Sequence, residues 1–311
     1  MTGDTGAPSG QQYRITHGDQ RATVVEVGGG IREYRDGDRD VLQPYPAEAV
    51  CDGAHGTPLA PWPNRLGDGR FAFDGHQHQV PLTEPEKQNA IHGFLRWRPW
   101  TCVEHRSDQV RMTARLHPMP FWPFDLEVSV AYLLADDGLS VIVTARNVGD
   151  DDAPWAYGQH PYLSPGEASI DDCRLRLRAG TRITTDERQL PTGRADVPGT
   201  LYDFAEPRQI GDTRIDHAFT DLERDPDGRA QLFLTGPDGR TVSAWADGSF
   251  RYLEVYTADT LEPTRRRRGL GVEPMTAPPN ALQSGTDVLR LRPGGMYTHR
   301  WGARLEPRAS R

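Results

Sequence analysis

Five polar side chains sit in short, irregular stretches of the chain marked by proline or glycine. The clearest is Glu273, alone in "GVEPMTAPPNAL" (271–282), where three prolines and one glycine flank a single carboxylate. Such a segment is expected to stay out of helix and central strand. An acid held this firmly is suited to chemistry in which geometry matters. His160, in "YGQHPYLSPG", precedes a proline that biases it toward extended backbone, and Tyr162 lies two residues on. An imidazole held at a bend can give or take a proton near neutral pH. Asn64 and Arg65 follow two prolines in "APWPNRLGDGRF", and Arg65 brings a planar fork of donors that suits oxygen-rich ligands. His92 stands before a glycine in "NAIHGFLRWRPW", with Trp97 and Trp100 behind it as rings able to stack on a sugar or to fill a core. Asp216, in "RIDHAFTDL", is a further acid at a strand end. Each has an ordinary structural explanation when taken alone. Together they are titratable and polar groups placed where sites are usually built.

Other chemistries are poorly represented. His76 and His78 share a strand face but have no nearby third ligand, so no metal is expected. No Gly-x-Ser-x-Gly elbow announces a nucleophilic serine. Gly28–Gly30 lacks the Lys-Ser/Thr of a phosphate loop and reads as a bend between strands. The run Arg265–Arg268 reads as a solvated face, with capture of a sulfate or phosphate as the alternative.

The elements that position these groups are strands. Asp-Gly pairs, suited to the positive φ of tight hairpin turns, begin at Asp36, Asp52, Asp68, Asp74, Asp137, Asp227, Asp238 and Asp247. Between them residues alternate with a period of two: Leu126, Val128, Val130, Tyr132 and Leu134 on one face, then Leu139, Val141, Val143 and Ala145 after the Asp136–Gly138 turn. The segments 70–80, 230–246 and 252–257 read the same way, and no stretch of a dozen residues carries a helical apolar stripe. The fold class is all-β, a large antiparallel β-sandwich. Residues 1–20 are expected to form a disordered lead, 21–304 a single domain and 305–311 a tail.

Composition narrows the partners. A net charge of −8 argues against a general nucleic-acid binder. No apolar run approaches the ~20 residues of a membrane span, and the polar N-terminus is no secretory signal. Cys51, Cys102 and Cys173 suggest small buried residues in a reducing compartment, so a cytoplasmic protein is expected.

In order along the chain, Asn64-Arg65, "NAIHG", "HPY", "DHAF", "VYT" and "GVEPMTAPPNAL" resemble the aldose 1-epimerase (galactose mutarotase) family from about Ala22 to Gly302. The resemblance implies a large twisted β-sandwich and an enzyme that interconverts the α and β anomers of a hexose without cofactor or metal. It implies Glu273 as general base and His160 as general acid, with Arg65, His92 and Asp216 on sugar hydroxyls and the ring oxygen. Asn64, Tyr162 and Glu254 complete the expected substrate site. The chain departs from the common pattern in reading Gln159-His160-Pro161-Tyr162-Leu163 around the acid, and in carrying Glu254 where many members have Gln. For the pair to work, Glu273 is expected to be ionised and His160 protonated, the acids Glu273 and Asp216 favouring the imidazolium and Arg65 the carboxylate. The alternatives are an epimerase of a phosphorylated or sulfonated hexose on the same fold, prompted by Arg265–Arg268, and a non-catalytic carbohydrate-binding protein. The expected partner is a sugar such as glucose or galactose, and the chain is expected to be a monomer or a homodimer.

Overall fold

The computed structural model describes residues 6–308. Two large antiparallel sheets dominate it. The first runs, edge to edge, through Gln12–His17, Gln20–Val25, Ile31–Asp36, Arg39–Leu42, Tyr162–Leu163, Leu270–Met275, Tyr252–Tyr256, Asp216–Leu222, Ala179–Thr185 and Pro191–Asp196, with Gly158–Gln159 and Pro58–Leu59 attached beside Leu270–Met275. The second runs through Thr101–His105, Gln109–Leu116, Leu126–Ala135, Gly138–Asn147, Met296–Leu305, Thr241–Ala246, Ala230–Thr235, Arg174–Leu177 and Phe204–Gln209. The fold is all-β, and the one α-helical segment among the described residues is the single turn Ala281–Ser284. No helix there is long and apolar enough to cross a membrane.

The period-two segments become the expected hairpins. Leu126–Ala135 pairs with Gly138–Asn147 from Leu126↔Asn147 to Ala135↔Gly138. Arg70–Phe73 turns at Asp74-Gly75 into His76–Gln79, and Ala230–Thr235 turns at Asp238-Gly239 into Thr241–Ala246. Their apolar faces meet in one core that takes in Trp122, Trp155, Tyr132, Phe204, Phe250 and Trp301. Full burial of such rings, at about 25 cal/mol per Å² of apolar surface, is the main stabilising term. Gly28–Gly30 bends the chain between strands as expected, and a Cβ on Gly29 would lie 2.5 Å from the Trp100 ring.

The structure corrects three expectations. Gln12–His17 is a strand paired along its length with Gln20–Val25, so the expected lead of 1–20 is ordered from there on, and residues 1–5 lie outside the described residues. Alternation was too faint to show it, because this edge strand has only Ile15 fully buried. At the other end Glu306 donates its N–H to the Thr241 carbonyl and accepts from Ser243, so the last strand continues into the expected tail. Cys173 is buried, whereas Cys51 and Cys102 are half-buried; all three are free.

Candidate active site

The most consequential correction concerns Glu273. Leu270–Met275 is an interior strand of the first sheet, with Pro274 inside it. On one side it pairs continuously with Tyr252–Tyr256. On the other its partner is broken in two, Gly158–Gln159 and Tyr162–Leu163, with His160-Pro161 between. The N–H groups of Val272 and Thr276 donate to Pro161 and Tyr157 across this break. By the two-residue period of a strand, position 274 faces the same way, where the ladder is already interrupted. A proline there removes no sheet bond. The rigidity expected of this segment is supplied by a paired strand.

The same break delivers His160. Directly opposed residues of an antiparallel pair project from one face. That face carries Glu273 opposite Glu254, and Gly271 between Tyr256 and Tyr162. Asp216 is opposite Tyr256 on the next strand. Gly271 leaves the space between the two tyrosines open, since a Cβ there would sit 3.1 Å from that of Tyr256. His160 stacks on Tyr162, ring centroids 4.9 Å apart, and Tyr162 stacks in turn on the buried His55 at 4.6 Å.

The opposite wall is the 60–96 region. Arg65–Gly67 pairs with Asn89–Ile91, and beyond this short ladder Asn64, His92 and Gly93 all take left-handed backbone. Asn64 donates its backbone N–H to His92 Nδ1 at 3.1 Å, and its carbonyl accepts the His92 N–H at 3.0 Å. Because Nδ1 is an acceptor here, the ring hydrogen of neutral His92 is on Nε2.

These walls enclose a cavity of about 510 Å³ lined by Asn64, Arg65, His92, His160, Tyr162, Asp216 and Glu273. Seven of the eight residues expected from sequence therefore converge. The eighth, Glu254, does not line the cavity. It is buried beneath it, accepting from Asn64 Nδ2 at 3.4 Å. Trp100 is core, and Trp97 is exposed outside the cavity lining. Sequence reasoning missed Glu84, Lys87, Arg96 and Gln189, all of which line it. Arg96 was open to discovery, four residues past His92. Glu84 and Gln189 have no local signal, since they arrive from a turn and a hairpin tip that only the tertiary fold brings near. Glu84 receives the Arg65 fork, Nε at 2.9 Å and Nη2 at 2.9 Å, and Gln189 donates to Asp216 Oδ2.

His160 Nε2 and Glu273 Oε1 are 3.0 Å apart, and both side chains are buried. The direction of their titration reverses the expectation drawn from sequence. Burial, with like charge from His55, Arg96 and Arg65, lowers the His160 imidazole to about 3. Burial and the neighbouring Asp216 push Glu273 well up, and Arg65 offsets this only in part because its guanidinium is already forked to Glu84. The resting pair is therefore neutral: one proton, on the carboxyl, donated to the imidazole. Asp216 is also raised by burial. His92, His160 and Glu273 each place a ligand-type atom within 4.8 Å of the others. The Asn64 N–H commits the Nδ1 lone pair of His92 and leaves a hydrogen on Nε2, so His92 presents a donor to the cavity rather than a metal ligand.

The aldose 1-epimerase family model matches residues 11–303. The chain belongs to the aldose 1-epimerase family. Among its relatives, YihR of Escherichia coli K12, itself uncharacterized, is 35% identical over 288 residues, covering 92% of this chain and 90% of that one. Galactose mutarotase of Rattus norvegicus is 25% identical over 264 residues, covering 76% and 74%. Of solved structures, an aldose epimerase homologue from C. elegans superposes with a TM-score of 0.83 at 19% identity, over 95% and 98% of the two chains. Galactose 1-epimerase from Lactobacillus acidophilus does so at 0.78 and 19% identity, over 93% and 92%. Family and fold together mark an aldose 1-epimerase relative, a carbohydrate epimerase with a galactose mutarotase-like fold.

Proposed function

We propose that the protein is an aldose 1-epimerase that interconverts the α and β anomers of a hexose by opening the ring at C1–O5. The observation that carries this is the buried 3.0 Å contact between Glu273 and His160, two titratable groups that line one cavity with Arg65, His92 and Asp216. Ring opening needs just this inventory: one site to accept the C1 hydroxyl proton and one proton to deliver to O5. Transfer along the 3.0 Å bond converts the resting pair into carboxylate and imidazolium. Glu273 then takes the proton from O1, the O1–C1 bond gains double-bond character, the C1–O5 pair leaves to O5, and His160 protonates it. Rotation about C1–C2 presents the other carbonyl face, and the steps reverse. Nothing is consumed, and the pair returns to one proton. His92 Nε2–H offers a donor for a sugar oxygen, while Asp216 and Arg65 supply an acceptor and donors for hydroxyls.

Polarimetry on freshly dissolved α-D-glucose and α-D-galactose tests the reading. The protein should speed relaxation of the rotation above the buffer rate. No acceleration with any free or substituted hexose would leave a carbohydrate-binding protein.

A second reading, an epimerase of a phosphorylated or sulfonated hexose, is supported by Arg96 rather than by Arg265–Arg268. Half of that run is ion-paired, Arg265 with Asp52 and Arg267 with Asp259 and Asp171, while Arg266 and Arg268 are exposed and donate to the Leu261 and Glu167 carbonyls, outside the cavity lining. Arg96 lines the cavity with its Nε buried and without an acceptor, and burial lowers its guanidinium to about 10. It has no ion pair with a described residue; its cation stacks on Trp97 at 3.8 Å. If an anionic sugar is the substrate, Arg96→Gln should lower kcat/KM for it by about tenfold or more, the scale of one hydrogen bond to a charged group, and leave free hexose unchanged.

A further inference from the structure

Glu273 uses one carboxyl oxygen on His160. The other, Oε2, is buried and meets no hydrogen-bond donor among the described residues. An orphaned buried acceptor on the residue read here as the base calls for a partner, and the register supplies one. Glu254 lies directly opposite Glu273 across the central strand pair, and both are 3% exposed. Directly opposed residues of an antiparallel pair have Cβ atoms about 4.5–5.5 Å apart, within carboxyl-to-carboxyl reach.

The groups around this pair exclude the usual counter-ions. Arg65, from the strand beneath Asn64, is forked to Glu84. Asp216, from the adjoining strand, is a further acid and has Gln189 on Oδ2. His160 faces the other oxygen of Glu273, and His92 is bound to Asn64. No cation among the described residues contacts Glu254. Its Oε2 accepts from Asn64 Nδ2, whose amide orientation is set by the Arg65 N–H on Oδ1 at 2.8 Å. Two adjacent buried carboxyls with no cation between them do not both ionise, so when Glu273 passes its proton to His160, Glu254 keeps its own.

Resting on the reading of Glu273 as base, we propose that Glu254 is a positioning residue: a protonated carboxylic acid whose free O–H donates to Glu273 Oε2 while its other oxygen holds Asn64. The bond stabilises Glu273 when it is ionised, in a site that offers it no other donor than His160 among the described residues, and aims Oε1 at the cavity. The Asn64 contact couples the same residue to the His92 wall. The cluster of Glu254, Glu273 and His160 then works with two protons, one on Glu254 and one in transit between base and acid. Burial raises the Glu254 carboxyl strongly, in keeping with this.

Glutamine is the diagnostic substitution, because its amide can donate to Glu273 and accept from Asn64 with no proton to lose. Glu254→Gln should keep kcat close to wild type, whereas Glu254→Leu should lower kcat by about 10- to 150-fold, the loss of one hydrogen bond to a charged group, with little change in KM. The basic limb of the Glu254→Gln profile should lie at or above that of the wild type, which alone can lose the Glu254 proton. Circular dichroism checks that each variant is folded. Should Glu254→Leu not fold, infrared difference spectra of wild type against Glu254→Gln at pH 7 decide: a protonated-carboxyl band in the wild type supports the proposal, and carboxylate bands alone overturn it. It is also overturned if Glu254→Leu turns over like wild type, or if Glu254→Gln is as slow as Glu254→Leu. A Glu273→Gln enzyme at full rate would sink the reading of the base itself. An inactive Glu273→Gln beside an unimpaired Glu254→Leu would sink only this inference.

Discussion

Lowering the pH from 7 to 5 should leave turnover almost unchanged. The working form of the Glu273–His160 pair holds one proton, and the acid limb marks the arrival of a second, on His160. An ordinary imidazole titrates near ~6.5, so about 76% of such a pair would be in the one-proton form at pH 7 and only about 3% at pH 5, a fall of about 25-fold. In this site burial lowers His160 to about 3. At pH 5, about two units above that, about 99% of the pair stays competent. The contrast is large enough for direct polarimetry of a hexose, with the uncatalysed rate subtracted at each pH and circular dichroism confirming the fold. A drop of tenfold or more between pH 7 and pH 5 in folded protein would refute the reasoning. It would mean that water or substrate solvates His160 well enough to restore ordinary behaviour, and that the neutral resting pair is wrong.

Glu273→Gln should reduce kcat by about 10²- to 10⁴-fold, the usual worth of a general base, while sugar still binds by calorimetry. Gly93→Ala should lower the melting temperature and cripple activity: its φ is +63°, and the added Cβ would fall 1.9 Å from the Ala60 carbonyl oxygen, displacing the His92 wall. Stability should decline from pH 7 toward pH 4. His55 and His160 are lowered to about 3 and His217 and His299 to about 4, so the unfolded chain takes up protons below ~6.5 that the folded one refuses, with a slope of about 1.4 kcal/mol per pH unit for each proton. Glu273 and Glu254, raised in the fold, act in the opposite sense, contributing stability that is lost as pH rises above ~4.5. Denaturant melts at pH 7, 5.5 and 4.5 measure the balance; greater stability at pH 4.5 would show that the carboxyls outweigh the histidines.

Much of this molecule is local, and local features are legible in a sequence. Alternation from Leu126 to Ala145 with Asp137-Gly138 between specifies a hairpin, because side-chain period and turn conformation are properties of adjacent residues. The polar residues marked by nearby proline and glycine could be named for the same reason, and six of them line one cavity together with Asp216. What the sequence left undetermined depends on neighbours distant along the chain. Pro274 argued against an interior strand until the break at His160-Pro161 gave it a place without a donor. Glu84 and Gln189 join the site through a turn and a hairpin tip that no local pattern ties to Arg65 or Asp216. The resting protonation of the pair was not legible because charge can be counted in a sequence and desolvation cannot. Residue types determined that an acid, imidazoles and an arginine were present. Only the tertiary structure decided that Glu273 and His160 are buried together and hold one proton, because burial penalises charge more strongly than the surrounding residues restore it.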